Sequence, residues 1–183
     1  MKSWRGGGLR ALGVALVAST AAGCGYSLAG RGSFLPPEIK SIGIPPFINR
    51  TAIFNLETQL TQKVRSEFIG RGRYQILPEA SGVDAVLTGE VSNISLQPAS
   101  FTTQQLASRY IITMSARVEL RDTKTNMVLW ENPALLFRQE YDAPTATSGT
   151  PDPAAFLGQD LNALDRITSE FARTIVSAIL EAF

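Results

Sequence analysis

Apolar and polar residues recur along the chain with two different periods, and the places where the period changes divide it into elements. Residues 39–44 set Ile39, Ser41 and Gly43 against Lys40, Ile42 and Ile44 until Pro45-Pro46 end the run, which predicts a short first strand. Thr51 then offers an N-cap hydroxyl. Ile53, Leu56, Leu60, Val64 and Phe68 follow three and four residues apart, the spacing of one apolar stripe on a helix of about five turns. Gln59, Gln62, Lys63 and Glu67 fall largely off that stripe, and Gly70 and Gly72 end the helix.

Period two returns beyond the helix. Residues 74–77 suit a short edge strand before Pro78, and residues 84–96 are rich in strand formers. Gly89 and the polar pair Ser92-Asn93 there point to a bulge or bend. Residues 97–103 contain Pro98 and read as a connection. The clearest strand is 110–121. Tyr110, Ile112, Met114, Ala116, Val118 and Leu120 line one face, whereas Thr113, Ser115, Arg117, Glu119 and Arg121 share the other with Ile111. Such a strand is half-buried and antiparallel, covered on one side and open on the other.

Residues 122–126 (DTKTN) form a turn, and 127–141 return as the next strand, with Pro133 marking an edge position or a bulge. Residues 142–151 (DAPTATSGTP) lack an apolar period and read as a mobile connection. Asp152-Pro153 then opens a helix, because the carboxylate accepts from free N–H groups and proline loses nothing at the first position. Leu157, Leu161, Leu164, Thr168, Phe171, Ile175 and Ile179 carry its stripe nearly to the end of the chain. The expected architecture is α+β: a small mixed, mainly antiparallel sheet of about four strands, with two amphipathic helices packed on one face and the other face uncovered.

The first 23 residues read as an export signal instead of fold. Lys2, Arg5 and Arg10 are basic, residues 11–22 are apolar or small, and no acid precedes Cys24. Such a run is too short to cross a hydrocarbon core of roughly 30 Å as a permanent helix. Ala21-Ala22-Gly23 lie directly before the chain's single cysteine. This resembles the bacterial lipobox, which implies a diacylglycerol on the Cys24 sulfur and an acyl chain on the freed amine. The departure is Ala21, where the lipobox usually has Leu. The alternative is an ordinary secretory signal followed by a stray cysteine. Gly25 after the cysteine, by resemblance to the sorting rule of enteric bacteria, implies the outer membrane over the inner one.

Cleavage before Cys24 removes three of the 17 basic residues and none of the 16 acids, leaving 14 and 16, a net charge of −2. No strong field draws the mature chain to nucleic acid. The expected organisation is a signal peptide over 1–23, a lipidated linker over 24–37 and one domain over 38–183. No disulfide can form within a monomer.

The chain has no histidine. That removes histidine general acid–base catalysis, the Ser-His-Asp and Cys-His pairs and the common zinc sets. No glycine loop that cradles phosphate opens a helix. The sequence therefore nominates no catalytic residue, metal or cofactor, and an anchored enzyme would have no nucleophile–base pair behind it. Binding chemistry is what remains. Arg109, Arg117, Arg121 and Lys124 gather near one predicted hairpin, either as a solvated outer face or as a site for anions such as lipid phosphates, which guanidinium groups hold through two oxygens at once.

With these segments in place, the chain resembles the lipopolysaccharide-assembly lipoproteins of the LptE (RlpB) family of Gram-negative bacteria. The resemblance is carried by CGYSLAG (24–30), LPPEIKSIGIPPFINRT (35–51), LETQLTQKVRSEFIGRGRY (56–74), DAVLTGEVSNI (84–94), SRYIITMSARVELRDTKTNMVLWEN (108–132) and FRQEY (137–141). It implies an outer-membrane lipoprotein that plugs the large β-barrel LptD, assists its assembly and contacts lipopolysaccharide. The run IKSIGIPPFIN also resembles the opening of CsgG-like and TolB-N-like periplasmic lipoproteins, which would imply a secretion or envelope-scaffold component. A CsgG-like pore needs membrane-inserting hairpins, and residues 92–103 are too polar and too short to supply them.

Overall fold

The structure, a computed structural model, describes residues 35–71, 73–103, 106–147 and 150–183. Cys24 and the expected signal and anchor lie outside the described residues. The chain folds as α+β, with a six-stranded mixed sheet in the order β3-β1-β4-β5-β6 and β2 paired to β4 beside that path. The expected sheet of about four strands becomes six for two reasons. Residues 74–77 do form an edge strand, β3 (Gln75–Leu77), and the first strand resumes after its prolines. β1 (Ser41–Gly43) stops before Pro45-Pro46, and β2 (Ile48–Asn49) continues along the same parallel neighbour. Where the prolines interrupt pairing, Arg65 Nε donates to the Ile44 carbonyl at 2.9 Å.

β4 (Ala85–Phe101), β5 (Ala107–Asp122) and β6 (Val128–Thr147) form a long antiparallel meander. Tyr110, Ile112, Met114, Ala116, Val118 and Leu120 of β5 are all buried. On β4, Leu87, Val91, Ile94 and Leu96 share that face. The expected bulge falls between Val91 and Asn93 and keeps the apolar set inward on both sides of Ser92. Gly89 has a different reason: a Cβ there would collide with the ring of Phe47, which packs against the glycine.

The expected connection over 97–103 is instead the end of β4, which runs through Pro98 to Phe101. β1 and β2 pair with β4 only up to Val91, so beyond it this side of the strand is an edge, where a missing N–H costs nothing. Residues 142–147, expected to be mobile, likewise extend β6, since β5 begins far enough back for Ala107 to pair with Thr147.

Helix α1 (Leu56–Gly70) buries Leu56, Leu60, Val64 and Phe68 completely. It begins later than expected. Asn55, in the left-handed region at φ 62°, is its N-cap without a side-chain cap bond. Thr51 instead holds a tight turn, its hydroxyl bonded to Asn49 Oδ1 at 2.7 Å. The C-terminal helix is two helices, α2 (Pro153–Gln159) and α3 (Leu161–Leu180). Asp152 caps α2 as expected, accepting from Ala155 N–H at 3.0 Å, and Asp160 caps α3 in the same way from Ala163. The break shifts the helical phase, so Leu157 is buried whereas Leu161 is 66% exposed. α1 and α3 lie side by side on the apolar face of the sheet, linked across their tops by Lys63–Asp165 at 2.6 Å. Phe171 of α3 meets Phe137 of β6 edge to face at 5.7 Å. Leu35, at the end of the expected linker, is also part of the core, and its N–H reaches Tyr74 Oη at 3.2 Å.

The contact between Gly89 and Phe47 makes a specific expectation. Gly89→Ala overpacks this spot and lowers stability by about 1–3 kcal/mol. In a Phe47→Ala background the same change costs under about 0.5 kcal/mol, because the obstacle is gone. Urea unfolding of the four proteins measures the coupling, and equal costs in both backgrounds would disprove it.

Candidate functional site

The face of the sheet turned away from the helices carries the candidate chemistry. The strand alternation that buries Tyr110 to Leu120 points Arg109, Thr113, Ser115, Arg117, Glu119 and Arg121 outward. They stand beside Thr88, Glu90, Ser92 and Gln97 of β4 and Glu131, Leu136, Arg138 and Glu140 of β6. Acidic and basic groups are interleaved, and no helix among the described residues covers them.

The four expected basic residues do not form one cluster. Arg109 and Arg121 are twelve positions apart on one strand, about 40 Å at roughly 3.4 Å per residue. Arg109, near the far end, is held by Asp142 at 2.6 Å and Glu140 at 3.7 Å, and the Asp142 hydrogen bond raises its pKa. Arg121 is held by Glu119 at 2.7 Å and the Asn126 carbonyl at 2.8 Å. Lys124 reaches past the hairpin to Asp84 at 2.7 Å, which raises its own pKa. Arg117 is exposed and makes no hydrogen bond or ion pair among the described residues.

Arg117 also has the most open surroundings. Opposite it on β6 the register slips: Ala116 pairs with Leu135 and Val118 with Asn132, so Pro133 and Ala134 together face the one arginine. That bulge opens a hollow of about 380 Å³ lined by Glu90, Ser92, Ser115, Arg117, Pro133 and Leu136. A second hollow of about 140 Å³, on the other side of Arg117, is lined by Ile48, Thr88, Glu90 and Glu119. Exposed apolar residues flank the pair, Leu136 at 61% and Ile48 at 48%. The arrangement suits a ligand with both an anionic group and apolar surface. The sequence reading missed Ile48, because two residues of strand show no period, and it missed Arg138 and Glu90, whose neighbours become visible only from the register.

The corner beside the hairpin is a clamp. Asp84 accepts from Lys40 N–H and Ser41 N–H at 3.1 Å, the Ser41 hydroxyl at 2.9 Å and Lys124 Nζ. Asp122, buried, accepts from the N–H groups of Lys124 and Thr125 at 2.7 and 3.0 Å and so closes the turn. Asn126 completes that turn at φ 58°. Among the described residues no group of three or more acids, cysteines or histidines could hold a metal, and no helix is long and apolar enough to cross a membrane.

Against known proteins, the model of the family described as LptE, lipopolysaccharide assembly, matches residues 39–179. The chain belongs to the LptE family. Its role is therefore that of an outer-membrane lipoprotein of lipopolysaccharide assembly. No curated protein matches its sequence. Solved structures with a similar fold include the PelC dodecamer of Paraburkholderia phytofirmans, at 12% identity and a TM-score of 0.50, covering 81% of this chain and 93% of that one. The Chlamydia trachomatis protein CT253 gives 12% and 0.51 over 77% and 95%. Rare lipoprotein B of Shewanella oneidensis gives 14% and 0.44 over 76% and 96%. At these identities the PelC and CT253 matches establish the fold alone.

The clamp in this LptE-family domain has a pH signature. The Lys124 ammonium, with the N–H groups of Lys40 and Ser41 and the Ser41 hydroxyl, holds the Asp84 carboxyl well below its usual 3.8. Asp122 is lowered too, chiefly by the Thr125 N–H. A depressed carboxyl stabilises the fold fully above its unfolded value and loses that contribution as pH falls towards the folded one. Asp84→Asn is therefore less heat-stable than the native chain near neutral pH, and the gap narrows as pH drops below 3.8. Thermal unfolding from about pH 7 to about pH 2 reads this directly. A gap that stays constant would mean that the charge on Asp84 does not hold the corner.

Proposed function

We propose that this lipoprotein complexes with an LptD-like outer-membrane β-barrel, assisting its assembly and the insertion of lipopolysaccharide into the outer membrane. The observation that carries the reading is the uncovered sheet face, a wide surface of hydroxyl, amide and charged side chains with a few apolar ones among them. The interior of outer-membrane barrels is polar. A surface of this kind meets it through many hydrogen bonds and paired charges, where a greasy patch would leave the barrel's polar groups unbonded.

In this proposal residues 1–23 are removed, Cys24 carries the lipid, 24–37 lead from the membrane and 38–183 form the domain on the periplasmic side. Several acyl chains, at about 0.8 kcal/mol per buried methylene, make such an anchor stable. Lipopolysaccharide contact is assigned to the basic residues Arg109, Arg117, Arg121 and Lys124, with Arg117 first among them because its guanidinium is uncommitted. The apolar neighbours Ile48 and Leu136 suit acyl or sugar faces beside the phosphate.

Affinity purification of the tagged chain from outer membranes tests the partnership. The expected result is co-recovery of one large barrel protein. A homo-oligomeric ring without a barrel would favour the CsgG/TolB-N-like reading instead. For the ligand, Arg117→Glu weakens lipopolysaccharide binding by about tenfold, the scale of one charge-assisted hydrogen bond. Arg109→Glu, whose native cation is already paired, weakens it less. Equal effects, measured by titration with the fold verified by circular dichroism, would remove Arg117 from its leading place.

A further inference from the structure

The sheet has two edges, and they differ. Among the described residues β3 is three residues long, whereas β6 is the longest strand, Val128–Thr147, and pairs with β5 alone. Prolines at 133 and 144 bracket the free edge, and between them every residue of 134–143 carries an N–H. Ten residues of extended backbone, half of whose polar groups point away from the sheet, form a template for another strand.

The side chains at its centre suit one particular strand. Residues 137–141 read Phe-Arg-Gln-Glu-Tyr, an aromatic, a cation, an amide, an anion and an aromatic. Antiparallel pairing of this segment with a second copy, centred on Gln139, places Arg138 opposite Glu140 twice and Phe137 opposite Tyr141 twice. Opposite charges and aromatic pairs at facing positions are the contacts that stabilise a ladder. Sliding the register by two residues either way sets Arg138 against Arg138 or Glu140 against Glu140. The centred register avoids both, and its one unmatched position is Leu136 against Asp142, which Arg109 already neutralises.

The groups concerned are available. Arg138 is exposed and makes no hydrogen bond or ion pair among the described residues, and Glu140 is 64% exposed with only a 3.7 Å contact to Arg109. Phe137 and Tyr141 are fixed from behind, Phe137 by Phe171 and Tyr141 by Phe156 and by a 2.6 Å hydrogen bond from its hydroxyl to Asp160. The edge is thus rigid on its core face and open on its outer one.

We propose that the free edge of β6 pairs with β6 of a second copy of this chain, in antiparallel register about Gln139, joining two sheets into one. The partnership is separate from the barrel reading; of the side chains it sets face to face, Leu136 is the one that also lines the hollow beside Arg117.

The test uses the chain extracted from membranes in detergent and freed of other proteins. Analytical ultracentrifugation then shows a concentration-dependent dimer. Gln139→Cys yields an intermolecular disulfide under mild oxidation, because facing residues lie about 4.5–5.5 Å apart between Cα atoms, within disulfide reach. The unsubstituted chain, with Cys24 as its single cysteine, is the control. Arg138→Glu and Glu140→Arg each raise the dissociation constant about tenfold, and the double exchange restores it. A monomer at every concentration would overturn the proposal. So would a dimer indifferent to the exchange, or a thiol at 139 captured in cells only by a larger envelope protein.

Discussion

Everything in this fold depends on the face that β5 buries. Six consecutive inward positions, Tyr110 to Leu120, are apolar and buried, and each large one contributes about 1.5–3 kcal/mol by leaving water. A slip of one residue would expose all six and drive Arg117 and Glu119 into the core. That cost exceeds the 5–15 kcal/mol by which a domain is typically stable. The register is therefore fixed, and the rest follows from it. One side of the sheet must be covered, and the amphipathic faces of α1 and α3 are what cover it. Because both helices take the same side, they also meet each other.

The same constraint leaves the opposite face open. No helix among the described residues is left to cover it, so its polar groups remain available to solvent or a partner. Most of its charges are already neutralised within the strands, as Arg109 is by Asp142 and Arg121 by Glu119. What distinguishes one location is the bulge at Pro133-Ala134, which sets two uncharged residues opposite Arg117 in place of one paired side chain and opens the sheet beside it. A surface that is neutral overall but locally unsatisfied favours a specific, hydrogen-bonded partner over a long-range electrostatic one.

The sequence revealed the elements whose signal is periodic over many residues. β5 and the stripe of α1 were legible because each repeats a pattern that water enforces, and the α+β class follows from their order. The misreadings came where a local signal competes with pairing. Pro98 looked like a strand end, yet β4 passes through it because its neighbours stop at Val91. Residues 142–147 show no alternation, yet they extend β6 because β5 lies alongside. Thr51 looked like a cap and serves a turn. Asp160, inside an apparently continuous stripe, resets a helix. The candidate site was legible in its residue types but not in its grouping. Four basic residues close in sequence spread along an extended strand, and only the register reveals which of them is left without a partner.

The pairing of α1 with α3 has a consequence for the order in which the molecule can form. The meander of β4, β5 and β6 joins sequence neighbours and closes small loops, which is fast. Arg71 and Ser177, in contrast, meet across 106 residues at the far ends of the two helices. On the proposed export to the periplasmic side, a chain delivered with its N-terminus leading presents α1 long before α3 has emerged. Until then Leu60, Val64 and Phe68 have sheet but no partner helix, a greasy half-finished surface. Completion waits for α3. The interval before it arrives is when periplasmic chaperones would find the most to hold.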